Sequence, residues 1–274
     1  IFWRFKNFEN MKQITFFAII ISIFGFSQEK LTTQDFGLHK NTETVISKQY
    51  WEDDQSNVVF TEELKFYNTF LQEQKTKDGD YVTVKKYYYN IDNLLVKIET
   101  EHLNSGEKEK EVFHYKNHQL QNSELWMHGK MFSKTQYFYD KNNRLIKEIE
   151  KDAKNKVSRI VEYKNYKNDD FFTKLIKDFQ NGKVVETTEE IYENKLLVEA
   201  NYEMYNLKTN VKNTYNKEGW IVKEVFSNSE VVENTFTYEV DEKGNPIKVT
   251  KTNSQNQGNY VLVINNTYST FPTN

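Results

Sequence analysis

Tyrosines recur along this chain at a nearly constant interval, and this spacing restricts the fold more than any other feature. Aromatic anchors can be placed at Tyr67, Tyr89, Tyr115, Tyr139, Tyr163, Tyr192, Tyr215, Tyr238 and Tyr268. Successive anchors are 22 to 30 residues apart. Self-similarity at a period in this range is typical of one supersecondary unit repeated in tandem. The spacing therefore predicts a repeat architecture from residue 67 onward.

The clearest copy of the repeated unit is TQYFYDKNNRLIKEIE, at residues 135–150. Tyr137 and Tyr139 are two residues apart, so they share one face of a strand. The polar residues that follow favour a tight turn. Leu145 and Ile149 are four apart and are expected on one face of a second strand, with Glu and Lys on the face that meets water. Each unit is thus predicted to contain two antiparallel strands.

A second turn closes each unit, as at Asp78-Gly79 and Asn181-Gly182. Such pairs are strong hairpin signals, because both central residues of the turn need positive φ. The links are too short for crossover helices, so all pairing is local. We predict an all-β fold: an elongated, twisted antiparallel β-meander built from tandem hairpin repeats of about 22–30 residues, with about sixteen strands. Asn165–Asp170 is expected to bulge out as a loop.

The start of the chain differs in character from the repeats. Met11 is a credible start, so residues 1–10 are expected to be an upstream extension. Residues 11–27 combine Lys12, a 13-residue apolar run and small residues at the −3 and −1 positions, which predicts a signal peptide. An uncut N-terminal membrane-anchoring helix is the alternative. We assign residues 28–60 to a cap or degenerate repeat and residues 61–274 to the repeat domain.

Composition limits the function classes. The chain has no Cys, which excludes thiolate nucleophiles, Cys-ligated zinc and disulfides. A net charge of −3 with interspersed signs gives no nucleic-acid footprint. We therefore expect an exported protein in the periplasm, on the outer surface or secreted. No membrane anchor is expected after signal cleavage, and no cofactor.

Residues 137–145, YFYDKNNRL, resemble the YD repeat of RHS-type proteins, Tyr-x-Tyr-Asp-x-x-Gly-Arg-Leu. Looser copies begin at Tyr215 and at Phe236, and the stretch from Asn181 also resembles the related MORN-like exported repeats. The resemblance covers roughly residues 67–268, although most units replace the Asp. It implies a curling sheet of hairpin repeats, and it brings no catalytic residues.

Conventional catalytic or metal-binding patterns are weak in this chain. His114 and His118 have the spacing of a helical ligand pair, but they are expected in a strand and its turn, so no metal site is predicted. Carboxylate doublets such as Glu62-Glu63 and Glu189-Glu190 could suggest glycosidase acids. Adjacent strand residues point to opposite faces, so no doublet forms a facing pair.

Aromatic residues on both faces of the predicted strands are the best functional signal. Tyr88 and Phe138 each sit between two inward anchors, and Trp126 and Trp220 add large rings. Most of the aromatic ladder is expected to be the packed face of the sheet, but an aromatic second face packs on something or binds something. We expect a non-enzymatic binding or scaffold module that contacts a glycan or cell-surface protein through these four residues. The alternative is a secreted or periplasmic hydrolase with a carboxylate site on the concave face.

Overall fold

The chain forms a closed barrel of eighteen antiparallel strands in a computed structural model, which describes residues 31–36, 38–168, 170–205, 207–256 and 258–268. The strands are β1 (Thr42–Trp51), β2 (Asp54–Tyr67), β3 (Phe70–Asp78), β4 (Tyr81–Tyr89), β5 (Leu95–His102), β6 (Glu107–Lys116), β7 (Gln119–Met127), β8 (Lys130–Tyr139), β9 (Leu145–Asp152), β10 (Val157–Asn168), β11 (Phe171–Gln180), β12 (Lys183–Glu193), β13 (Leu196–Met204), β14 (Leu207–Tyr215), β15 (Ile221–Ser227), β16 (Val231–Val240), β17 (Pro246–Asn253) and β18 (Tyr260–Tyr268). The expected upstream extension and signal peptide lie outside the described residues.

Consecutive strands pair in order around the barrel, and β1 pairs with both β2 and β18 to close it. The predictions of an all-β, antiparallel fold built from hairpins are confirmed. The prediction of an elongated meander is wrong, because the twist and curvature of the sheet bring the first strand back to the last. Within the described residues, no helix has the length and apolar character needed to cross a membrane.

Six tyrosine hydroxyls fasten neighbouring strands at one end of the barrel, which we call the tyrosine mouth. Each donates a hydrogen bond of 2.5–3.0 Å to the carbonyl oxygen of a Leu or Ile near the start of the preceding strand. The pairs are Tyr89–Leu71, Tyr115–Leu95, Tyr139–Leu120, Tyr166–Leu145, Tyr215–Leu197 and Tyr238–Ile221. Regular tyrosine spacing thus reflects in large part a repeated bond that holds the open ends of these six hairpins together.

Four of the nine predicted anchors behave differently. Tyr192 donates to the Glu190 carboxylate at 3.0 Å, and Tyr268 donates to the Asp241 carboxylate. Tyr67 is 69% exposed and is not part of the inner ladder. Tyr163 faces inward but donates to the Glu148 carboxylate, and Tyr166 makes the carbonyl bond in its place. The bulge predicted at Asn165–Asp170 is confirmed in part: the pairing of β10 with β11 is interrupted between Lys164 and Asn168, with Asn165 at φ +57°, but β10 itself continues to Asn168.

A β-bulge recurs near the start of the strands whose Leu or Ile carbonyl accepts the tyrosine hydrogen bond, namely β3, β5, β7, β9, β13 and β15. In β9, Leu145 lies opposite Tyr139 while Glu148 lies opposite Tyr137, so inward-facing residues are three apart instead of two. A bulge inserts one extra residue and shifts the alternation of the strand. Ile149 consequently faces outward, which contradicts the prediction that it shares a face with Leu145.

Turns at the tyrosine mouth are held by a single Asp or Asn side chain. The Asp140 Oδ1 accepts hydrogen bonds from the backbone N–H groups of Asn142 and Arg144, at 2.8 and 3.0 Å. Asn143 between them has φ +62°, a conformation that Asn and Gly tolerate. The same pattern begins at Asn90, Asn216 and Asp241.

The seam between β1 and β18 is fastened by Asn245, which is 1% exposed. Its Oδ1 accepts the backbone N–H of His39 at 2.7 Å. Its Nδ2 donates to Thr42 Oγ1 at 3.2 Å and to the Tyr268 hydroxyl at 2.7 Å. One side chain therefore connects the segment before β1, the first strand, the last strand and the β16–β17 turn.

A segment before β1 packs at the tyrosine mouth. It contains a 3-10 helix, Thr33–Phe36, and Phe36 packs edge-on against Phe66 at a centroid distance of 5.5 Å. The predicted strands at residues 45–51 and 58–60 are confirmed within β1 and β2, and the expected domain boundary after residue 60 falls inside β2. Inward-facing apolar side chains form three clusters along the wall, which include Leu71, Phe172 and Phe236 respectively.

Replacing Tyr238 with Phe tests the repeated tyrosine bond. The change deletes a 2.7 Å hydrogen bond and leaves the ring in place, so we expect the free energy of unfolding to fall by about 1–2 kcal/mol. Urea denaturation measures the loss. Tyr67→Phe is the matched control, and an equal loss in both variants would contradict this role for the bond.

Replacing Asn245 with Ala tests the seam. Three side-chain hydrogen bonds disappear and buried partners are left unpaired, so we expect a loss of about 2–4 kcal/mol. The thermal midpoint should fall accordingly. Asn142→Ala removes an exposed turn side chain of the same type and should change the midpoint little; unchanged stability in Asn245→Ala would show that the seam does not depend on this residue.

Candidate functional site

Charged side chains form a continuous row on the inner face of β9 to β12. Glu150 lies opposite Arg159, Arg159 opposite Asp178, and Asp178 opposite Glu186. Arg159 Nε donates to Asp178 Oδ1 at 2.6 Å. Strand alternation places all four groups on the inside, because each is opposite an inward-facing partner. The row holds three carboxylates for one guanidinium.

A second inner row lies nearer the tyrosine mouth. Lys174 and Glu190 form an ion pair at 3.3 Å, with side chains only 17% and 15% exposed. The Tyr192 hydroxyl donates to the same Glu190 carboxylate at 3.0 Å. Glu148 receives the Tyr163 hydroxyl. Tyrosines therefore supply hydrogen bonds to the inner carboxylates as well as to the backbone.

Four inner carboxyls have neutral hydrogen-bond donors as their closest partners, and burial raises the pKa of each. They are Glu62 with Gln74, Glu111 with Ser123, Glu148 with Tyr163 and Glu224 with Asn234. For Glu111 and Glu224 burial raises the pKa to about 7. Glu111 and Glu224 can therefore hold a proton near neutral pH, which an exposed glutamate does not.

Glu224 is buried, and its surroundings can be traced bond by bond. It is 4% exposed and accepts a 2.9 Å hydrogen bond from Asn234 Nδ2, while Asn253 donates to Asn234 at 2.7 Å. Lys251, 5% exposed, attracts the carboxylate, and burial lowers the pKa of the lysine. Asn213 lies directly opposite Glu224 across the strand pair.

Glu111, Glu148 and Glu150 bring like charges close enough to interact. Burial is the main cause of the raised pKa of Glu111, and the charges of Glu150 and Glu148 raise it further. Hydrolysis of a glycosidic bond uses a pair of carboxyls, one of which holds a proton near neutral pH. The inner wall therefore has chemical groups that could act on a substrate as well as bind one.

Tyr88 and Phe138 lie on the outer wall, as predicted from their position between two anchors. Lys97 Nζ lies 3.8 Å from the centroid of the Tyr88 ring, and the Tyr88 hydroxyl donates to Glu99 at 2.7 Å. Phe138 is 40% exposed and lies opposite Lys147. Three strands lie between β4 and β8, so these two rings belong to different parts of the wall.

Trp126 and Trp220 are not brought together either. Trp126 lies on the outer face of β7, with Lys110 Nζ 5.2 Å from its ring centroid. Trp220 ends a turn at the tyrosine mouth, and its ring packs on Tyr238 at 5.0 Å. The four residues thus do not form one platform, and their role in ligand binding stays a prediction.

The inner carboxylates were not predicted, because Glu was expected on the wet face. The structure shows which position of the repeat carries them. Six strands have near their start a Leu or Ile whose carbonyl accepts a tyrosine hydrogen bond. In each of them, the next inward-facing residue lies three positions later. These residues are Gln74, Ile98, Ser123, Glu148, Ala200 and Glu224. Reading these strands with one extra residue places Glu148 and Glu224 inside.

Comparisons with known proteins find no matching family model and no matching curated protein. Among solved structures, the chain is similar to a porin-like protein from Bacteroides uniformis, with 10% identity and a TM-score of 0.45 over 82% of this chain and 98% of that one. A porin-like protein from Bacteroides vulgatus gives 10% identity and 0.41, over 84% and 100%. A TcdB2-TccC3 structure gives 14% and 0.36, over 75% and 11%. At these values the likeness supports no statement about function.

Stability should depend on pH through Glu224. Its pKa is raised to about 7 in the fold, so the folded state keeps a proton that the unfolded chain releases above its ordinary pKa near 4.5. The free energy of unfolding should therefore fall as the pH rises from about 5 to 7.5, by about 3 kcal/mol from this group. Urea titrations at several pH values measure the slope.

Glu224→Gln separates this contribution from the other carboxyls. The variant cannot lose a proton, so its stability should fall less steeply over the same pH range. Glu242→Gln, in an exposed turn, is the matched control and should follow the wild type. Parallel curves for the wild type and Glu224→Gln would contradict the assignment.

Proposed function

We propose that this chain is an exported, non-enzymatic binding barrel that works with its outer wall in water and holds a glycan or a protein segment on that wall. The observation that carries the proposal is the chemistry of the outer wall, where cross-strand pairs of lysine and glutamate alternate with half-buried aromatic rings. Such a wall suits a solvated recognition surface, with charges for orientation and rings for contact.

The outer charges favour water over lipid around the barrel. Cross-strand pairs occur on well-separated strands: Lys65–Glu73 at 2.8 Å, Lys134–Glu124 at 3.2 Å, Lys223–Glu233 at 2.7 Å and Lys248–Glu239 at 2.7 Å. A lysine on the lipid face of a membrane barrel costs about 2–4 kcal/mol at the bilayer midplane. In water, the same pairs keep the sheet soluble and discourage contact with other strands.

The outer rings supply the contact surface. Lys97 and Lys110 cover part of Tyr88 and Trp126, and both lysine side chains extend from the same face as the rings. A sugar ring or an apolar side chain could displace such a lysine and stack on the aromatic face, because a cation–π contact at an exposed site contributes only about 0.5–1 kcal/mol. Phe138 already exposes 40% of its surface.

We also propose that the hairpins are relatives of the YD repeat. The turn chemistry supports this kinship: Asp140 holds two backbone N–H groups, Asn143 takes positive φ at the position of the repeat's Gly, and the Tyr139 hydroxyl binds a backbone carbonyl. In addition, Arg144 forms an ion pair with Asp140 at 2.7 Å. These contacts explain why the motif needs Tyr139, Asp140, Asn143 and Arg144 at their positions in this unit.

A hydrolase with an inner carboxylate site is the second candidate function. Glu111, with its pKa raised to about 7, would act as the general acid, and Glu148 or Glu150 would supply the second carboxyl. These groups line the concave side of the sheet, so the two candidates use opposite faces of the same wall.

Aromatic substitutions on the outer wall test the binding role. A glycan array and pull-down assays with purified protein would first identify a ligand. We then expect Trp126→Ala or Phe138→Ala to weaken its binding about tenfold or more, because each removes a ring from the contact surface. Isothermal titration calorimetry measures the change.

Ile91→Ala is the matched control, because Ile91 is 97% exposed in a turn outside the wall. Binding that is indifferent to every outer ring would refute the outer-wall proposal. Turnover of a glycoside that is lost in Glu148→Gln and kept in Trp126→Ala would favour the hydrolase instead.

A further inference from the structure

Seven consecutive hairpins at the mouth opposite the tyrosine mouth expose a large apolar side chain. We call this end the far mouth; its hairpins run from β3–β4 to β15–β16. The residues lie in the turn or within three positions of it: Tyr81, Leu103, Phe132, Val157, Val184, Tyr205, Leu207 and Val231. Their exposed fractions run from 36% to 74%. Exposed apolar groups arranged around a rim mark an interaction surface.

This pattern is more continuous at the far mouth than at the tyrosine mouth. At the tyrosine mouth, four of the eight hairpins (β6–β7, β10–β11, β12–β13 and β14–β15) show no exposed large apolar side chain among the described residues, and the other four expose Tyr67, Ile91, Phe138, Ile146, Val240 and Ile247. Tyr205 is also held at φ +46°, an unfavourable conformation for a bulky residue, and its side chain is 70% exposed. The far mouth therefore keeps an aromatic group in solvent at a conformational cost.

Charge at the far mouth is divided into two arcs. We count each tip from the last residue of one strand to the first residue of the next. The four tips from β7–β8 to β13–β14 carry Lys130, Lys154, Lys156 and Lys183 against Asp152. The other five tips carry Glu52, Asp53, Asp54, Asp78, Asp80, Glu107 and Glu230, with no lysine or arginine. The basic arc and the acidic arc each cover about half of the rim.

We propose that the far mouth is the interface of a dimer, in which a second copy of this chain docks mouth to mouth. A twofold axis in the plane of the rim, through the two boundaries between the arcs, places each basic arc over the acidic arc of the partner. The same rotation brings the two apolar rings into contact. Such an isologous interface needs one patch that is complementary to itself, which the divided rim provides.

Charge complementarity favours a second copy over other occupants. An anionic membrane surface would attract the basic arc but repel the larger acidic arc. Tyr81, Leu103 and Val231, which lie on the acidic side and are exposed, would then stay uncovered. A uniformly acidic or basic partner protein meets the same difficulty. Pairing with a second copy uses both arcs and covers the whole ring. The dimer does not depend on the outer-wall ligand proposed above.

Oligomeric state in solution tests the interface. Sedimentation equilibrium of the full chain should show a monomer–dimer equilibrium with a dissociation constant at or below about 10 μM at low salt. We expect the double change Tyr205→Ser and Leu207→Ser to raise this constant at least tenfold. Tyr67→Ser and Ile91→Ser together alter exposed side chains near the tyrosine mouth and should leave it unchanged.

Complementary charge reversals test the geometry. Lys154→Glu with Lys156→Glu turns the basic arc acidic, and Asp53→Lys with Asp80→Lys does the opposite to the acidic arc. Each double variant alone should dimerise at least tenfold more weakly, because like charges then face each other. An equimolar mixture should recover the wild-type constant, since each reversed arc meets its complement. Circular dichroism confirms that the variants are folded.

Several results would overturn the proposal. A wild-type protein that stays monomeric at 100 μM, on the order of ten times the expected constant, has no such interface. A dimer that is unaffected by the Tyr205 and Leu207 changes uses another surface. Flotation with vesicles of phosphatidylcholine and phosphatidylglycerol is the third measurement: binding that the rim variants abolish, in a protein that remains monomeric, would assign the far mouth to a membrane surface instead.

Discussion

Closure of the sheet is the constraint on which the other features of this protein depend. An open meander of eighteen strands would leave two edges with unpaired backbone groups, and β1 and β18 are those edges. Their pairing removes both edges and gives the sheet an inner and an outer wall. Each side chain of a strand then faces one wall or the other. Asn245 then secures the junction with hydrogen bonds to three other parts of the chain. The wet outer wall and the buried inner carboxyls both result from this closure.

The bulges at the tyrosine mouth determine which chemistry enters the barrel. Without the extra residue, the strand that begins at Leu145 would turn Lys147 and Ile149 inward and Glu148 outward. With it, Glu148 enters the interior and meets the Tyr163 hydroxyl. The inserted residue therefore selects which side chains of the strand lie inside, and the fold satisfies the inner carboxyls with Gln, Ser, Tyr and Asn donors.

The sequence predicts most of the architecture, and the reasons for its failures are physical. Hairpins, turn positions and the role of regular tyrosines are visible because they depend on local chemistry, as the turn at Asp140 shows. Closure is not visible, because it depends on register and shear accumulated over eighteen strands. The inner position of Glu148 is hidden by a bulge that leaves no distinctive residue type. The outer rings are placed on the correct wall, but their separation around the barrel depends on strand count and curvature.

The order of strands also has a consequence for the kinetics of folding. Every neighbouring pair except β1–β18 is consecutive in the chain, so hairpins can form early and add to one another without closing long loops. The β1–β18 pair instead joins residues more than two hundred positions apart, from Thr42 to Tyr268, and contacts this distant in sequence form slowly from a disordered chain. We therefore expect the seam to form after the hairpins between β1 and β18 have assembled, and the barrel to open first at this junction.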